Sequence, residues 1–260
     1  MPSCSKYDLL IEPGELLNFS GDKLKIFDCR ADLSDTGLGY KKFLKSHISK
    51  SQYLSLEKDL SRNPGNRGRH PLPTKESWIN TIRSFGIDNS DQVVLYDETG
   101  GSFAARAWWM FRWVGHEKVA LLNGGWQAWE GPKSSGFNPK PYRSNFKIKS
   151  TLTKLITMQK LKTNESAQLV DARSLERWSG EKEPIDRVAG HIPSEVCYPF
   201  TENLEDGNRF KSETELRLRF QDLKEPIVCY CGSGVTAAHN ILSLKIAGFS
   251  EPTLYAGSWS

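Results

Sequence analysis

One unit occurs twice in this 260-residue chain, and that repeat limits the possible folds more than any other feature. An apolar run ending in Asp-x-Arg spans residues 24–30 and returns at residues 168–173, placing Asp28 opposite Asp171. His47-Ile-Ser49 and His191-Ile-Pro193 follow, then the apolar runs Gln92-Val-Val-Leu-Tyr96 and Pro226-Ile-Val-Cys-Tyr230. Each second run leads through a Gly-containing turn into a helical pattern that stops at Gly115 or Gly248. Each unit closes on a short strand and a turn, Asn123-Gly-Gly-Trp126 or Ala256-Gly-Ser-Trp259. Short apolar runs alternating with helical stretches predict an α/β fold, each unit a mostly parallel sheet flanked by helices. The segment from Gly131 to Pro141 is dense in Gly, Pro and Ser and is expected to cross between cores, giving domains at 1–140 and 141–260.

Thirty-five basic and thirty-one acidic residues leave a net charge of +4. The basic residues are scattered, so no nucleic-acid partner is expected. The most aromatic stretch, residues 104–114, is broken by Arg106 and Arg112, so no membrane span is expected. The N-terminus has neither a signal nor a transit pattern, and the expected location is cytoplasmic. Five cysteines, Cys4, Cys29, Cys197, Cys229 and Cys231, are too few and odd in number for a disulfide framework and are expected to be free.

The two units differ where chemistry is possible. Aligning Tyr96 with Tyr230 sets Asp97 opposite Cys231. Cys231-Gly-Ser-Gly-Val-Thr236 follows a strand and precedes a helix expected over about 237–247, at the carboxyl edge where open parallel sheets bind ligands. Its two glycines let the backbone curl so that N–H groups point inward, and the start of a helix favours a thiolate. A nucleophilic cysteine is the expectation; a small buried residue in a tight turn is the alternative. Strand alternation is expected to turn Cys229 away from Cys231, so Cys229, Cys231 and His239 are not expected to hold a metal. His47 and His191, present in both units, are expected to be structural, Arg173 an ion-pair partner, and Trp108, Trp109, Trp126 and Trp259 filling for core or interface.

The loop Cys231-Gly-Ser-Gly-Val-Thr236 resembles the active-site loop of rhodanese-family sulfurtransferases, and the resemblance extends over nearly the whole chain. It includes Gly68-Arg-His-Pro-Leu-Pro73, Ala105-Arg-Ala-Trp-Trp-Met110, Glu183-Pro-Ile-Asp186 with Gly180, Gly190-His-Ile-Pro193 and Gly257-Ser-Trp259. The resemblance implies two tandem rhodanese-like domains, the first degenerate and the second forming a persulfide. It also implies a relay of Ser233, His70 and an acid, with Glu57 standing where aspartate is usual. Arg177 matches an arginine that binds anionic substrate. Ile185 stands where mercaptopyruvate enzymes carry a second arginine, with Arg187 the nearest stand-in; Gly232, Gly234, Val235 and Thr236 are the loop's substrate-binding positions. Family members usually continue beyond the equivalent of Ser260.

The expected activity is two-step sulfur transfer without a cofactor. Cys231 takes sulfane sulfur from a small anionic donor, 3-mercaptopyruvate or thiosulfate, and passes it to a thiol, thioredoxin or cyanide. The chain is expected to act as a monomer. Two other activities make different demands on the sequence. A thiolate phosphatase of this fold needs Arg six residues after the cysteine, and position 237 is Ala. A non-catalytic binding module would not need the intact Cys231 loop. The uncharged loop favours mercaptopyruvate over the dianion thiosulfate, while Ile185 and its Glu-Pro-Ile-Asp setting point the other way; activity with both is expected, faster with mercaptopyruvate.

Overall fold

Two five-stranded sheets with the same connectivity follow from the repeat. The computed structural model describes residues 7–65, 68–139, 141–163 and 166–260; Cys4 lies outside them. The first half contains β1 (Leu10–Ile11), α1 (Pro13–Leu17), β2 (Leu24–Asp28), α2 (Leu38–Lys45), β3 (His47–Ile48), β4 (Gln52–Tyr53), α3 (Lys75–Ser84), β5 (Gln92–Tyr96), α4 (Ala104–Trp113), β6 (Val119–Leu122) and β7 (Lys133–Ser134). The second contains β8 (Lys154–Leu155), α5 (Met158–Lys162), β9 (Gln168–Asp171), α6 (Leu175–Ser179), β10 (Val196–Cys197), α7 (Glu213–Arg219), β11 (Ile227–Tyr230), α8 (Ala237–Ile246) and β12 (Thr253–Leu254). The sheets run β1-β6-β5-β2-β4 and β8-β12-β11-β9-β10, all pairs parallel. Helices cover both faces, so β5 and β11 are buried along their whole length, as their unbroken apolar runs require.

The repeated Asp-x-Arg is a folded-back ion pair in both halves. Arg30 grips Asp28 at 2.6 Å and donates to the Ser46 carbonyl; Arg173 grips Asp171 at 2.7 Å and donates to the Gly190 carbonyl. Each guanidinium lies over the tryptophan of the closing turn, Trp126 at 4.6 Å and Trp259 at 5.2 Å. His47 and His191 are also twins: Nδ1 bonds to the Phe43 or Trp178 carbonyl at 2.8 Å, and the ring stacks on that same residue. These side chains brace the ends of β2 and β9, as expected for features present in both units.

Helices α4 and α8 pack against each other across the interface between the halves. Both are buried almost all round, because one side meets the helix's own sheet and the other meets the opposite half. Trp108 and Trp109 are fully buried here. His239 on α8 reaches across to the Gly100 carbonyl at 2.9 Å. The Gly- and Pro-rich segment after Gly131, expected to cross between cores, instead stays bound to the first half. β7 pairs antiparallel with β3, Asn138 donates to the Ser51 carbonyl, Arg83 holds the Phe146 carbonyl, and Lys149 and Leu152 donate to Val114 and Arg112. The chain joins the second sheet only at β8, because this strap's backbone groups find partners on the first half.

Candidate active site

Six residues, 231–236, connect β11 to α8. Cys231 is 2% exposed, and its Sγ accepts the Gly234 N–H at 3.1 Å. The closing turn holds the cysteine in place. Ser258 Oγ accepts the Cys231 N–H at 3.1 Å and lies 4.0 Å from Sγ, and the Trp259 N–H donates to the Cys231 carbonyl at 3.0 Å. Gly234 has φ of 75°, and a Cβ there would lie 2.6 Å from the Ala256 carbonyl oxygen, so this turn requires glycine. Ser258, with φ of 54°, keeps the same left-handed conformation as Gly125 in the first half. Its hydroxyl explains the substitution, because it bonds the nucleophile's backbone.

Above the turn is a cavity of about 340 Å³ between the halves. Leu33, Thr99 and Phe103 come from the first half, Arg177 and Phe200 from the second, and Cys231, Gly232, Ser233, Val235 and Thr236 form its floor. Larger cavities of about 630 and 450 Å³ lie elsewhere, and Cys231 lines neither. Chemistry rather than size selects the smaller one.

His70 comes from the first half, and its Nδ1 lies 2.8 Å from Ser233 Oγ. Burial, followed by the nearby Arg106 and Arg69, lowers its pKa to about 4, so the ring is neutral near pH 7. With the proton on Nε2, Nδ1 accepts the Ser233 hydroxyl hydrogen. Glu57 does not complete this relay by hydrogen bonding. Its side chain bonds Ser55, burial raises its pKa, and among the described residues no hydrogen bond joins it to His70. Arg106, on α4, lies fully buried behind the loop and donates to the carbonyls of Gly234 at 2.9 Å, His70 at 2.9 Å and Leu60 at 3.3 Å. Burial lowers its pKa to about 10, against the pull of nearby Cys231. It therefore stays cationic and ties the His70 segment to the Cys231 turn.

Arg177, on α6, is held through Nε by both oxygens of Glu183 at 3.1 Å. Burial disfavours the Glu183 charge, but N–H donors led by Asp186 and the Arg177 guanidinium outweigh it, so the pKa falls below the ordinary value. Arg177 Nη2 lies 3.0 Å from Glu183 Oε1 and meets Asp186 at 2.8 Å. Arg69 approaches the same carboxylate from the first half, at 3.1 and 3.2 Å. A Cβ on Gly232 would lie 2.6 Å from Arg69 Nη2 and 3.2 Å from Arg177 Nη2, so both guanidinium groups lie directly over the loop. Arg187 and Ile185 are exposed and do not line the cavity.

The expectation for Cys229 is corrected. Side chains two residues apart on a strand share a face, and Cys229 packs with Cys231 in one core while Val228 and Tyr230 belong to the other. Burial and the neighbouring Cys231 push the Cys229 thiol well above its ordinary pKa. His239 is bonded to Gly100 and Asn203. Among the described residues no group of three His, Cys, Asp or Glu side chains is placed to hold a metal. Sequence reasoning passed over Arg69, Arg106, Asp186 and Ser258 as site residues. All four lie inside the motifs that carry the family resemblance, at Gly68–Pro73, Ala105–Met110, Glu183–Asp186 and Gly257–Trp259.

Comparison with known proteins agrees with this geometry. The model for the rhodanese-like domain matches twice, at residues 12–132 and 155–260. A Pseudomonas aeruginosa protein named "Probable 3-mercaptopyruvate sulfurtransferase" is 41% identical over 251 residues, 91% of this chain and 88% of that one. Bovine (Bos taurus) thiosulfate sulfurtransferase is 32% identical over 253 residues, 92% and 84% of the two chains. The structure of 3-mercaptopyruvate sulfurtransferase from Leishmania major superposes with a TM-score of 0.88 at 27% identity, covering 97% of this chain and 73% of that one. With both halves matched and a cysteine loop closed by the opposite half, this chain belongs to the rhodanese family of sulfurtransferases.

Proposed function

We propose that this enzyme carries sulfane sulfur on Cys231 and that 3-mercaptopyruvate is its better donor. The Cys231 thiolate attacks the donor's outer sulfur and forms an S–S bond. The bond from that sulfur to the rest of the donor breaks, and its electron pair leaves with the pyruvate enolate or with sulfite. Loop amides such as Gly234 N–H face the charge that remains on the persulfide. An acceptor thiolate, a thioredoxin or cyanide then attacks the terminal sulfur and restores Cys231. Arg177 orients the donor anion.

The observation that carries the donor preference is the 2.8 Å contact between His70 and Ser233 in a loop without charged side chains. An enolate leaving group needs a proton, and a hydroxyl backed by a neutral imidazole can relay one. Sulfite needs none, and this loop offers the thiosulfate dianion no fixed charge. The division into two domains, the cytoplasmic location, the small-thiol or thioredoxin acceptor and action as a monomer belong to the same reading; one chain supplies both sides of the cavity.

Steady-state kinetics with each donor, using cyanide as acceptor, test this. The ratio kcat/KM is expected to be higher for 3-mercaptopyruvate, with measurable turnover of both. A higher ratio for thiosulfate would overturn the donor assignment.

A further inference from the structure

The third residue of α4 and the third residue of α8 each reach across to the turn of the opposite half. From α4, Arg106 Nη1 donates to the Gly234 carbonyl of the Cys231 turn at 2.9 Å. From α8, His239 Nε2 bonds the Gly100 carbonyl of the Asp97 turn, also at 2.9 Å. The two side chains are counterparts in the repeat, since each follows an Ala-Ala pair that opens its helix, Ala104-Ala105 or Ala237-Ala238. They differ in charge. Burial lowers the His239 pKa to about 4, so its ring is neutral near pH 7, whereas Arg106 is cationic. The turns differ in the same sense. Asp97 already receives four backbone N–H groups, and the neutral ring meets its turn. The Cys231 sulfur receives the N–H of Gly234, the same residue whose carbonyl takes the hydrogen bond from Arg106.

No carboxylate accounts for the charge on Arg106. Its guanidinium is fully buried, its hydrogen bonds go to three carbonyls, and its Nε has no partner. The acids just before α4 are engaged elsewhere, Asp97 with its four amides and Glu98 with Lys42. The other charged groups around the sulfur are matched or neutral. Arg69 and Arg177 above the loop meet Asp186, and Arg173 meets Asp171 and Glu183. The His70 ring beside Ser233 is neutral, and the Cys229 thiol on the same strand face is pushed up by burial. A buried cation without a partner is costly, and an opposite charge arising beside it removes that cost. The charge that arises here is on sulfur, as thiolate before the donor reacts and as persulfide afterwards.

We propose that Arg106 is a positioning residue and the fixed counter-charge of the Cys231 sulfur, acting from behind the loop through Gly234, and that its counterpart His239 is neutral because the Asp97 turn needs no such charge. The inference rests on Cys231 being the sulfur carrier. Sulfur bears the negative charge in both resting forms of the enzyme, so one buried cation serves the whole cycle and leaves the cavity free for donor and acceptor. The first half therefore supplies charge as well as shape to the turn of the second.

The test is the rate at which iodoacetamide alkylates Cys231 in the full chain, read by peptide mass spectrometry between about pH 5 and about pH 10, since the thiolate is the reacting form. Arg106→His places the counterpart's side chain at this crossing. It is expected to slow alkylation about tenfold near neutral pH, as for an opposite charge withdrawn from an ionising group, with the deficit closing as pH rises. Arg106→Lys keeps the charge with fewer donors and is expected to recover most of the lost rate. A residue that only ties the His70 segment to the turn behaves otherwise: the deficit would be the same at every pH, and Arg106→Lys would do no better than Arg106→His. Either of those results would overturn the proposal, as would an unchanged rate in Arg106→His. Matching circular dichroism and melting curves identify variants that fold. Should Arg106→His misfold, Arg106→Gln replaces it, with the same expected direction. Alkylation needs no sulfur donor, so the predicted pattern in a parent enzyme that turns over neither donor would refute the carrier reading and leave the counter-charge on the thiolate standing.

Discussion

In the first half, Asp97 follows β5 and draws four backbone N–H groups onto its carboxylate: Thr99 and Gly101 on one oxygen, Phe103 and Ala104 on the other, at 2.8–2.9 Å. In the second, Cys231 follows β11 at the equivalent place, and its sulfur receives one such group, from Gly234 at 3.1 Å. Both turns hold a hydrogen-bond acceptor at the start of a buried helix. The difference is saturation. Asp97 has spent its acceptor capacity within its own turn and is 1% exposed, whereas Cys231 lies on the floor of a cavity. The first half, with a carboxylate where the second has a thiol, lends residues to the other: its helix α4 supplies Arg106, and the segment before α3 supplies Arg69 and His70.

Substituting His70 tests that division of labour most severely. His70→Ala removes the base behind Ser233 and is expected to lower kcat/KM for 3-mercaptopyruvate about 10²-fold, a typical general acid–base contribution, and that for thiosulfate much less. Parallel kinetics with both donors measure the split, and an equal loss for both would reduce His70 to a positioning role. Asp97→Ala probes the saturated turn. Four amides lose their acceptor, with an expected cost of about 3 kcal/mol in denaturant unfolding, while Cys231 remains able to accept sulfur in the fraction that is folded.

A smaller effect compares the halves through histidine. His116 packs between Phe111 and Phe146 in the first half, and His239 spans α8 and Gly100; burial lowers both pKa values to about 4. Unfolded, each titrates near its ordinary value of about 6.5. Between those values the unfolded chain binds more protons than the folded one, so stability is full above about pH 6.5 and declines as pH falls toward 4. The slope is expected to be on the order of 1 kcal/mol per pH unit for each group. Urea midpoints across this range, for the parent and for His116→Gln, measure it, and a flat profile would mean that neither ring is held neutral.

Much of this was legible in the chain itself. The runs at Gln92–Tyr96 and Ile227–Tyr230 appear as β5 and β11, because strands buried on both faces need unbroken apolar sequence. The opposition of Asp97 and Cys231 could be read from the alignment of the halves. The roles of Arg69, Asp186 and Arg106 could not, since each depends on a contact between the halves that no local pattern encodes. Arg106 reads as a break in an aromatic run until α4 is placed against α8. Glu57 shows the opposite failure: its position in the chain fits the relay, but its hydrogen bonding goes to Ser55. The strap after Gly131 read as a linker because composition reports the absence of regular structure and not where the backbone's partners lie.

The central claim is that sulfur rests on Cys231 between the two steps. Peptide mass spectrometry of the protein treated with 3-mercaptopyruvate, and then of the same sample after cyanide, measures this directly. The account predicts one added sulfur, about 32 Da, on the peptide containing Cys231, its loss after cyanide, and no labelling or turnover in Cys231→Ser. Added sulfur on Cys29, Cys197 or Cys229 instead, or turnover retained in Cys231→Ser, would contradict it.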